Sequence, residues 1–216
     1  MTQWMLSESE GYDLLSKYGV PTPKYRIVTR AEDAGSAAEA IGFPVVMKIM
    51  SPDIIHKSDA GGVIVGIGTK EAAQSAFNQI VTNARAYNQN ADIHGVIVEN
   101  QAAPGLELII GGKTDPTFGK VITFGIGGTL VELMKDVTLR ILPIDEDEIR
   151  KMVTDIDSYP LITGYRGSKP KDEECLIQII KNVCKMFEDQ KDLREFDINP
   201  IRLYDSGACA VDARII

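Results

Sequence analysis

The chain has 216 residues, of which 44% are hydrophobic and 25% charged, and its formal net charge is −8. A chain of this length can bury a substantial core, as one domain or two small ones. The acidic balance argues against a general nucleic-acid or anionic-membrane binder, whose surface would be basic. Cys175, Cys184 and Cys209 form no C-x-x-C pair, which favours free thiols and a cytoplasmic location. We expect neither a signal peptide nor a membrane helix, because no apolar run is long enough.

The first half of the chain predicts helices alternating with short strands. Ser7 to Glu10 form a capping-box pattern that starts a helix ending near Tyr18. The sequence around Lys48 is apolar on both sides, which predicts a strand buried on both faces. A buried lysine must find an anionic partner or lose its proton. The other predicted elements are strand 25–29, helix 31–41, strand 44–50, strand 63–67, helix 69–87 and strand 94–100.

The second half predicts a run of strands followed by helices and a final pair of strands. The strands between 95 and 142 lie too close together for crossover helices, so we expect antiparallel sheets with helices on one side, an α+β fold. A soft boundary lies near 98–105. The predicted elements are strands 106–110, 120–124 and 136–142, a turn at 111–116, helix 145–156, a loop at 159–170, helix 172–187, and strands 195–203 and 208–214.

Two glycine-rich segments resemble nucleotide-binding motifs but fail in detail. Gly111-Gly112-Lys113-Thr114 ends like a P-loop, but Glu107 stands at the position of the first glycine and Asp115-Pro116 forces a turn. Gly125-x-Gly127 follows a strand, as in a dinucleotide fingerprint, but Leu130 replaces the third glycine. We therefore assign neither segment to a nucleotide.

The loop between strands 44–50 and 63–67 holds His56, Lys57 and the pair Gly61-Gly62. Glycine amides can approach an anion closely, and Lys57 adds positive charge. A neutral imidazole nitrogen can then accept a phosphoryl group. The alternative is a surface histidine without a chemical role, and the local sequence leaves both interpretations open.

The last two predicted strands carry oxygen ligands. Asp197 and Asn199 are two residues apart, so they point to one face of a strand. A hairpin across 203–208 can bring Asp212 beside them. Hard oxygen ligands of this kind suit Mg²⁺, which keeps waters and shares phosphate oxygens with a nucleotide. The alternative is a polar, solvated sheet face.

These features together resemble an ATP-grasp domain, and in detail the β subunits of ADP-forming acetyl-CoA synthetases, relatives of succinyl-CoA synthetase. The resemblance covers essentially the whole chain. The segments that carry it are Tyr18-Gly19-Val20-Pro21, Ile54 to Val63, Gly105 to Gly111, Asp115 to Gly119, Phe124 to Gly128, Leu133 to Val137, Gly164-Tyr165-Arg166-Gly167 and Asp197-Ile198-Asn199-Pro200.

The resemblance implies one ATP-grasp domain, 1–216, made of two α+β subdomains that clasp a nucleotide. The subdomains would be about 20–98, and 99–216 with the helix 1–19. It also implies the reversible reaction of acetyl-CoA, ADP and phosphate to acetate, ATP and CoA. A separate α subunit would carry the CoA-binding parts and a phosphorylated histidine, in an α2β2 assembly.

The resemblance also implies roles for single residues. His56 matches a histidine that takes the phosphoryl group, and Lys48 matches a lysine that contacts nucleotide phosphates. The local chemistry of the loop adds Lys57, Gly61 and Gly62, which would line the phosphates. Val98, Glu99, Asn100 and Gln101 match the hinge around adenine, where the family often has Gln-Glu-Met, and Glu107 matches an acid near the ribose or phosphates. Asn199 and Asp212 match Mg²⁺ ligands, with Asp197 as a neighbouring acid.

Two other functions fit the same residues. A self-contained ATP-grasp carboxylate–amine ligase would need an acyl-acceptor pocket in this chain and would not need His56. A nucleotide-sensing regulatory subunit would bind ATP but tolerate replacement of His56.

Overall fold

The computed structural model describes residues 5–128 and 135–216. Leu130, the Leu133-Met134 pair of the family resemblance and the first residues of the chain lie outside the described part. The chain divides into two compact units, Pro23–Gln101 and Met1–Thr22 with Ala102–Ile216.

Polar residues begin the longer helices, as the sequence predicts. Ser7 and Glu10 form a complete capping box, and the side chains of Thr69, Asp145 and Asp172 each accept a backbone N–H of the helix that follows. The helices are α1 Glu8–Lys17, α2 Ala31–Ile41, α3 Lys70–Tyr87, α4 Glu146–Thr154, α5 Pro160–Thr163 and α6 Glu173–Asp189. None of the helices in the described ranges combines the length and apolar character needed to cross a membrane.

The unit Pro23–Gln101 is built on a four-stranded antiparallel sheet. Its strands are β1 Tyr25–Val28, β2 Val45–Met50, β3 Val63–Ile67 and β4 Gly95–Asn100, in the order β1-β4-β2-β3. Every residue of β2 is buried, which confirms the prediction that both faces of this strand are covered. Phe77 and Ile80 of α3 and Ala34 and Ala38 of α2 share the core with β2.

The other unit is built on a six-stranded antiparallel sheet. Its strands are β5 Leu106–Asp115, β6 Gly119–Ile126, β7 Val137–Ile141, β8 Glu195–Leu203, β9 Ala208–Ala210 and β10 Ala213–Ile215. The order is β10-β8-β5-β6-β7, and β9 also pairs with β8. The α+β fold is therefore confirmed.

One face of the six-stranded sheet is packed against helices. On this face the Thr138 hydroxyl donates to the Met152 carbonyl of α4, and Phe187 of α6 packs edge-on against Phe196 with ring centroids 5.1 Å apart. Successive side chains of a strand point to opposite faces. The strand registers therefore place one row of residues across the opposite face, namely Arg214, Asp197, Gly111, Thr123 and Leu139.

The predicted turn at Gly111–Pro116 was wrong, because β5 continues to Asp115. A Cβ atom on Gly112 would collide with the Phe196 ring. Glycine here lets the strand pass a neighbouring aromatic side chain and does not end it.

Two further predictions need correction. The predicted strand 208–214 is divided into β9 and β10, and Val211 and Asp212 lie between them. The Val211 amide donates to the Pro200 carbonyl at 2.9 Å, so the chain stays attached to β8 across the break. The predicted loop 159–170 contains the single helical turn α5, which Pro160 starts with its preset φ.

Candidate active site

Lys48 and Glu99 form a buried ion pair between β2 and β4. The Lys48 Nζ lies 2.8 Å from Glu99 Oε1, and the two side chains are only 6% and 1% exposed. A buried charge is tolerated when it is paired. The need of Lys48 for an anionic partner is thus met inside the protein, by Glu99.

The polar residues that follow Glu99 hold neighbouring backbone. Asn100 Oδ1 accepts the Lys24 N–H at 2.6 Å, while the Asn100 N–H donates to the Lys24 carbonyl. Gln101 Oε1 accepts the Gly66 N–H at 2.7 Å. The side chains assigned to the adenine hinge therefore fasten the outer strands β1 and β3 to the end of β4.

The His56 loop is a packed turn with an exposed histidine. The Gly61 and Gly62 N–H groups donate to the Ser58 and Lys57 carbonyls at 3.0 and 2.7 Å. The expectation that these two amides face a phosphate is therefore not met in this conformation. Lys57 is half-buried.

The two glycines of this loop are needed for close packing. A Cβ atom on Gly62 would lie 2.6 Å from Ile49 Cγ2, and one on Gly61 would lie 2.7 Å from Asn83 Nδ2. Asn83 donates to the Gly61 carbonyl at 2.8 Å. Gly61 also has a φ of +60°, which an L side chain rarely adopts. The loop is therefore tied to β2 and α3, and this packing presents His56 at the surface.

Asp197, Asn199 and Asp212 come together at the end of the six-stranded sheet, as the sequence predicts. The Asn199 N–H donates to the Asp212 carbonyl at 3.2 Å, and Asn199 Oδ1 accepts the Gly128 N–H at 2.8 Å. Asp197 and Asn199 alternate along β8 with buried residues and are themselves partly exposed. The hairpin between β8 and β9 brings Asp212 to its place.

The electrostatics of this group favour a cation. Burial raises the pKa of the Asp197 carboxyl, and the nearby charge of Asp212 raises it further, while Arg214 acts in the opposite direction. Within the described residues, Asp197 Oδ1 is buried without a hydrogen-bond partner. A bound cation would supply that partner and relieve the repulsion.

The donor set fits Mg²⁺ held jointly with a ligand. In the described ranges, no group of three or more His, Cys, Asp or Glu side chains is placed to hold a metal ion. Two carboxylates and one amide oxygen are what Mg²⁺ uses when waters and phosphate oxygens complete its octahedron. Residues Asp197, Asn199 and Asp212 therefore fit half of such a site.

Glu107 lies on β5 beside Arg202 of β8. Arg202 donates from Nη2 and Nε to Glu107 Oε1 at 3.0 and 3.2 Å. A Cβ atom on Gly128 would collide with Glu107 Oε2, and Gly128 also donates to Asn199. Gly128 thus links the acid on β5 to the predicted metal ligand on β8.

The sequence did not reveal Arg202 or Gly128 as parts of this group. Arg202 belongs to no motif, and only the strand register places it opposite Glu107. The Gly125-x-Gly127 pattern next to Gly128 is an incomplete dinucleotide fingerprint. Its function in the structure is close packing, since the Gly127 N–H donates to the Glu107 carbonyl at 2.8 Å.

The fold and this group of residues define an ATP-grasp protein. The chain belongs to the ATP-grasp family, whose domain it matches over residues 2–216. Over 211 residues the chain is 44% identical to the β subunit of ADP-forming acetate–CoA ligase I from Pyrococcus furiosus. The matched region covers 98% of this chain and 91% of that protein. The family resemblance seen in the sequence is thereby confirmed.

Solved structures agree with this assignment. The acetyl-coenzyme A synthetase 1 of Ca. Korarchaeum cryptofilum in complex with coenzyme A, Ca-AMPCP and HgCl⁺ matches with a TM-score of 0.96 and 39% identity, covering 100% of this chain and 94% of that one. A second structure of that synthetase contains coenzyme A and Mg-AMPPCP, with its phosphohistidine segment pointing towards the nucleotide-binding site. It matches with a TM-score of 0.86 and 37% identity, over 98% of this chain and 92% of that one.

Proposed function

We propose that this chain is the nucleotide-binding β subunit of an ADP-forming acetyl-CoA synthetase. The observation that carries the proposal is the 44% identity, over 98% of the chain, to a protein named as such a subunit. The overall reaction would convert acetyl-CoA, ADP and phosphate to acetate, ATP and CoA, reversibly. We also propose a cytoplasmic location, in keeping with three cysteines that form no disulfide in the described chain.

In this proposal His56 carries the phosphoryl group. The P–N bond of phosphorylated His56, whose other ring nitrogen carries a proton, breaks as a P–O bond forms to the terminal phosphate of ADP, and the imidazole is left neutral with that proton. An exposed side chain on a tightly packed loop suits a residue that must meet another protein. The source of the phosphoryl group would be a phosphohistidine on an α subunit in an α2β2 assembly.

Lys48 would contact nucleotide phosphates in this proposal. An ammonium group has three N–H donors, so it can hold Glu99 and a phosphate oxygen together. Val98, Glu99, Asn100 and Gln101 would border the adenine, and Glu107 would approach the ribose or phosphates. Lys57 would add positive charge near the transferred group, with Gly61 and Gly62 shaping its loop.

Asn199 and Asp212, with Asp197 beside them, would hold Mg²⁺. Bound there, the metal would neutralise phosphate charge during transfer. The protein's own part is to fix three oxygen donors at one end of the sheet. The raised pKa of Asp197 supports this assignment, because a cation would stabilise its ionised form.

Reconstitution tests the proposal. The purified chain is mixed with the α subunit, and ATP formation from acetyl-CoA, ADP and phosphate is measured. We expect no ATP without the α subunit and a loss of at least about 10³-fold for His56→Ala, with ADP binding by calorimetry unchanged. The control is His94→Ala, since His94 is also exposed and pairs with Asp92 at 3.0 Å; this variant should keep full activity.

Labelled phosphate sharpens the result. Wild type and His94→Ala should retain acid-labile, base-stable phosphate on this chain, and His56→Ala should not. Full activity of a His56→Ala complex would exclude the phosphohistidine role. ATP turnover by the chain alone would favour the self-contained ligase instead.

A further inference from the structure

Helix α1 packs against the break between β9 and β10. A Cβ atom on Gly11 of this helix would lie 3.6 Å from the Ala213 carbonyl oxygen, so the helix backbone is close to β10. Tyr12 follows Gly11 and is completely buried. Its hydroxyl donates to the Val211 carbonyl oxygen, 2.5 Å away.

The Val211 carbonyl belongs to the peptide unit that carries Asp212. A peptide unit is planar, so fixing this oxygen also fixes the plane that contains the Asp212 nitrogen and Cα. The neighbouring peptides are held as well, because the Val211 N–H donates to Pro200 and the Asp212 carbonyl accepts from Asn199. Tyr12 adds to these a contact from a side chain of another element.

Glu8 is the second acceptor within reach of the Tyr12 hydroxyl. Glu8 Oε1 lies 2.9 Å from that hydroxyl, one helical turn before Tyr12, and Glu8 is only 6% exposed. A tyrosine hydroxyl has a single proton to donate. Glu8 therefore shares control of the direction in which the hydroxyl points.

The alternative is that Tyr12 serves only as a large core residue. A phenyl ring would fill the same space, so packing alone gives the hydroxyl no purpose. Buried hydroxyls are costly unless they are hydrogen-bonded. Here the hydroxyl reaches the backbone beside a proposed metal ligand, which a residue chosen for packing need not do.

We propose that Tyr12 is a positioning residue for the Mg²⁺–nucleotide site and acts through the Val211–Asp212 peptide, with Glu8 orienting its hydroxyl. This inference rests on the proposed function, specifically on Asp212 as a metal ligand. Residues that do not touch the metal but orient one of its ligands typically change metal affinity by about 10- to 100-fold when they are altered.

Tyr12→Phe tests the inference, with Tyr18→Phe as the matched control. Tyr18 is a second tyrosine at the end of α1, and its hydroxyl accepts from Gln190 Nε2 at 3.1 Å, away from the Val211–Asp212 break. Binding of Mg²⁺ is titrated by calorimetry on the chain with ADP present. The Mg²⁺ concentration for half-maximal activity is measured in the reconstituted enzyme.

Tyr12→Phe should weaken Mg²⁺ binding about 10-fold and leave kcat at saturating Mg²⁺ within about twofold of wild type. Tyr18→Phe should leave both unchanged. Hydrogen exchange gives an independent measurement, because the Val211 amide, which donates to the Pro200 carbonyl, should exchange faster in Tyr12→Phe than in Tyr18→Phe. A purely structural role would lower the melting temperature without a selective change in Mg²⁺ dependence.

Asp212→Asn separates this inference from the proposed function. If it weakens Mg²⁺ binding and Tyr12→Phe does not, the positioning role of Tyr12 is wrong while the proposed metal site stands. If Asp212→Asn has no effect on Mg²⁺, both are wrong. Glu8→Gln serves if Tyr12→Phe fails to fold, and it should shift Mg²⁺ affinity in the same direction by a smaller factor; an unchanged affinity would count against the proposal.

Discussion

Lys48 and Glu99 in the unit Pro23–Gln101 are almost fully enclosed and satisfy each other at 2.8 Å. In the other unit, Asp197 and Asp212 carry charges of the same sign, and the pKa of Asp197 is raised by its burial and by that neighbour. One unit therefore holds a closed ion pair, whereas in the other the ionised form of Asp197 is disfavoured, a state that the proposed Mg²⁺ would relieve. The two groups of charges therefore differ in their contribution. The Lys48–Glu99 pair contributes mainly to stability, whereas Asp197 and Asp212 are suited mainly to binding a cation.

The largest expected effect on stability comes from removing one partner of the Lys48–Glu99 ion pair. Glu99→Ala leaves the buried Lys48 ammonium without Glu99 and should lower the free energy of unfolding by about 3–5 kcal/mol. Lys48→Met combined with Glu99→Leu should recover most of that loss, because neither position then carries a buried charge. Urea unfolding measures both variants.

Arg150→Ala is the control for this experiment. Arg150 forms an ion pair with Glu174 at 2.7 Å on the surface, where such pairs contribute little, so its unfolding midpoint should scarcely move. If Glu99→Ala were equally harmless, the contrast between the two units would fail.

The next effect concerns the packing that presents His56. Gly62→Ala places a methyl group 2.6 Å from Ile49 Cγ2 and 3.0 Å from the Lys57 carbonyl, and overpacking of this kind costs about 1–3 kcal/mol. Gly68→Ala is matched to it, since a Cβ there meets nothing within 4 Å, and should stay within about 0.5 kcal/mol of wild type. Equal stability of the two variants would show that the loop is not held as described.

A smaller effect, of the opposite sign, is expected at the open acidic group. Asp197→Asn removes a carboxylate that is costly to ionise and should stabilise the chain at pH 7 by less than about 2 kcal/mol. Because the pKa of Asp197 is raised in the folded chain, its contribution to stability is present below the ordinary value of about 3.9 and is lost as the pH rises through the raised value. The gain from the substitution should therefore vanish in acid.

Asp205→Asn provides a control with the reverse pH dependence. The Lys171 ammonium, which donates to Asp205, holds the pKa of that carboxyl below its usual range. Its contribution is present above the ordinary value and is lost as the pH falls. Urea midpoints between about pH 2 and 8 measure both; parallel curves for the two variants would contradict the assignment for Asp197.

The smallest effect on stability is expected at Glu107. It has an opposite charge beside it, as Glu99 does, but its ion pair with Arg202 is more exposed than the Lys48–Glu99 pair. Its partner Arg202 donates twice to one carboxylate oxygen, but the Glu107 side chain is 36% exposed. Solvent screening then limits the cost of Glu107→Gln to about 1 kcal/mol at most. A larger loss of unfolding free energy in urea would show that Glu107 behaves like the buried Lys48–Glu99 pair.

Local sequence predicted those parts of the fold that depend on short-range chemistry. Thr69 and Asp172 mark helix starts because each side chain caps an N–H only three residues ahead. Asp197 and Asn199 share a face because alternation along a strand is fixed. The break at Asp212 and the continuation of β5 through Gly112 were missed, since each depends on residues distant in sequence.

The candidate site was predictable to a similar degree. The demand of Lys48 for an anion followed from its apolar neighbours, but the identity of Glu99 as that anion depends on the pairing of β2 with β4. Arg202 and Tyr12 carry no motif at all. The Gly61 and Gly62 amides were assigned to a ligand because the sequence does not show that Ser58 and Lys57 accept them.

The pairing of Lys48 with Glu99 has a consequence for how sequences related to this one can diverge. Either residue changed alone leaves the other as a buried charge, so each single step from this sequence passes through a less stable protein. As far as folding is concerned, the two positions can change only together. The two positions should therefore vary as a pair. A library of random single substitutions should return few folded variants at either position, while a library in which both residues are replaced together should return many.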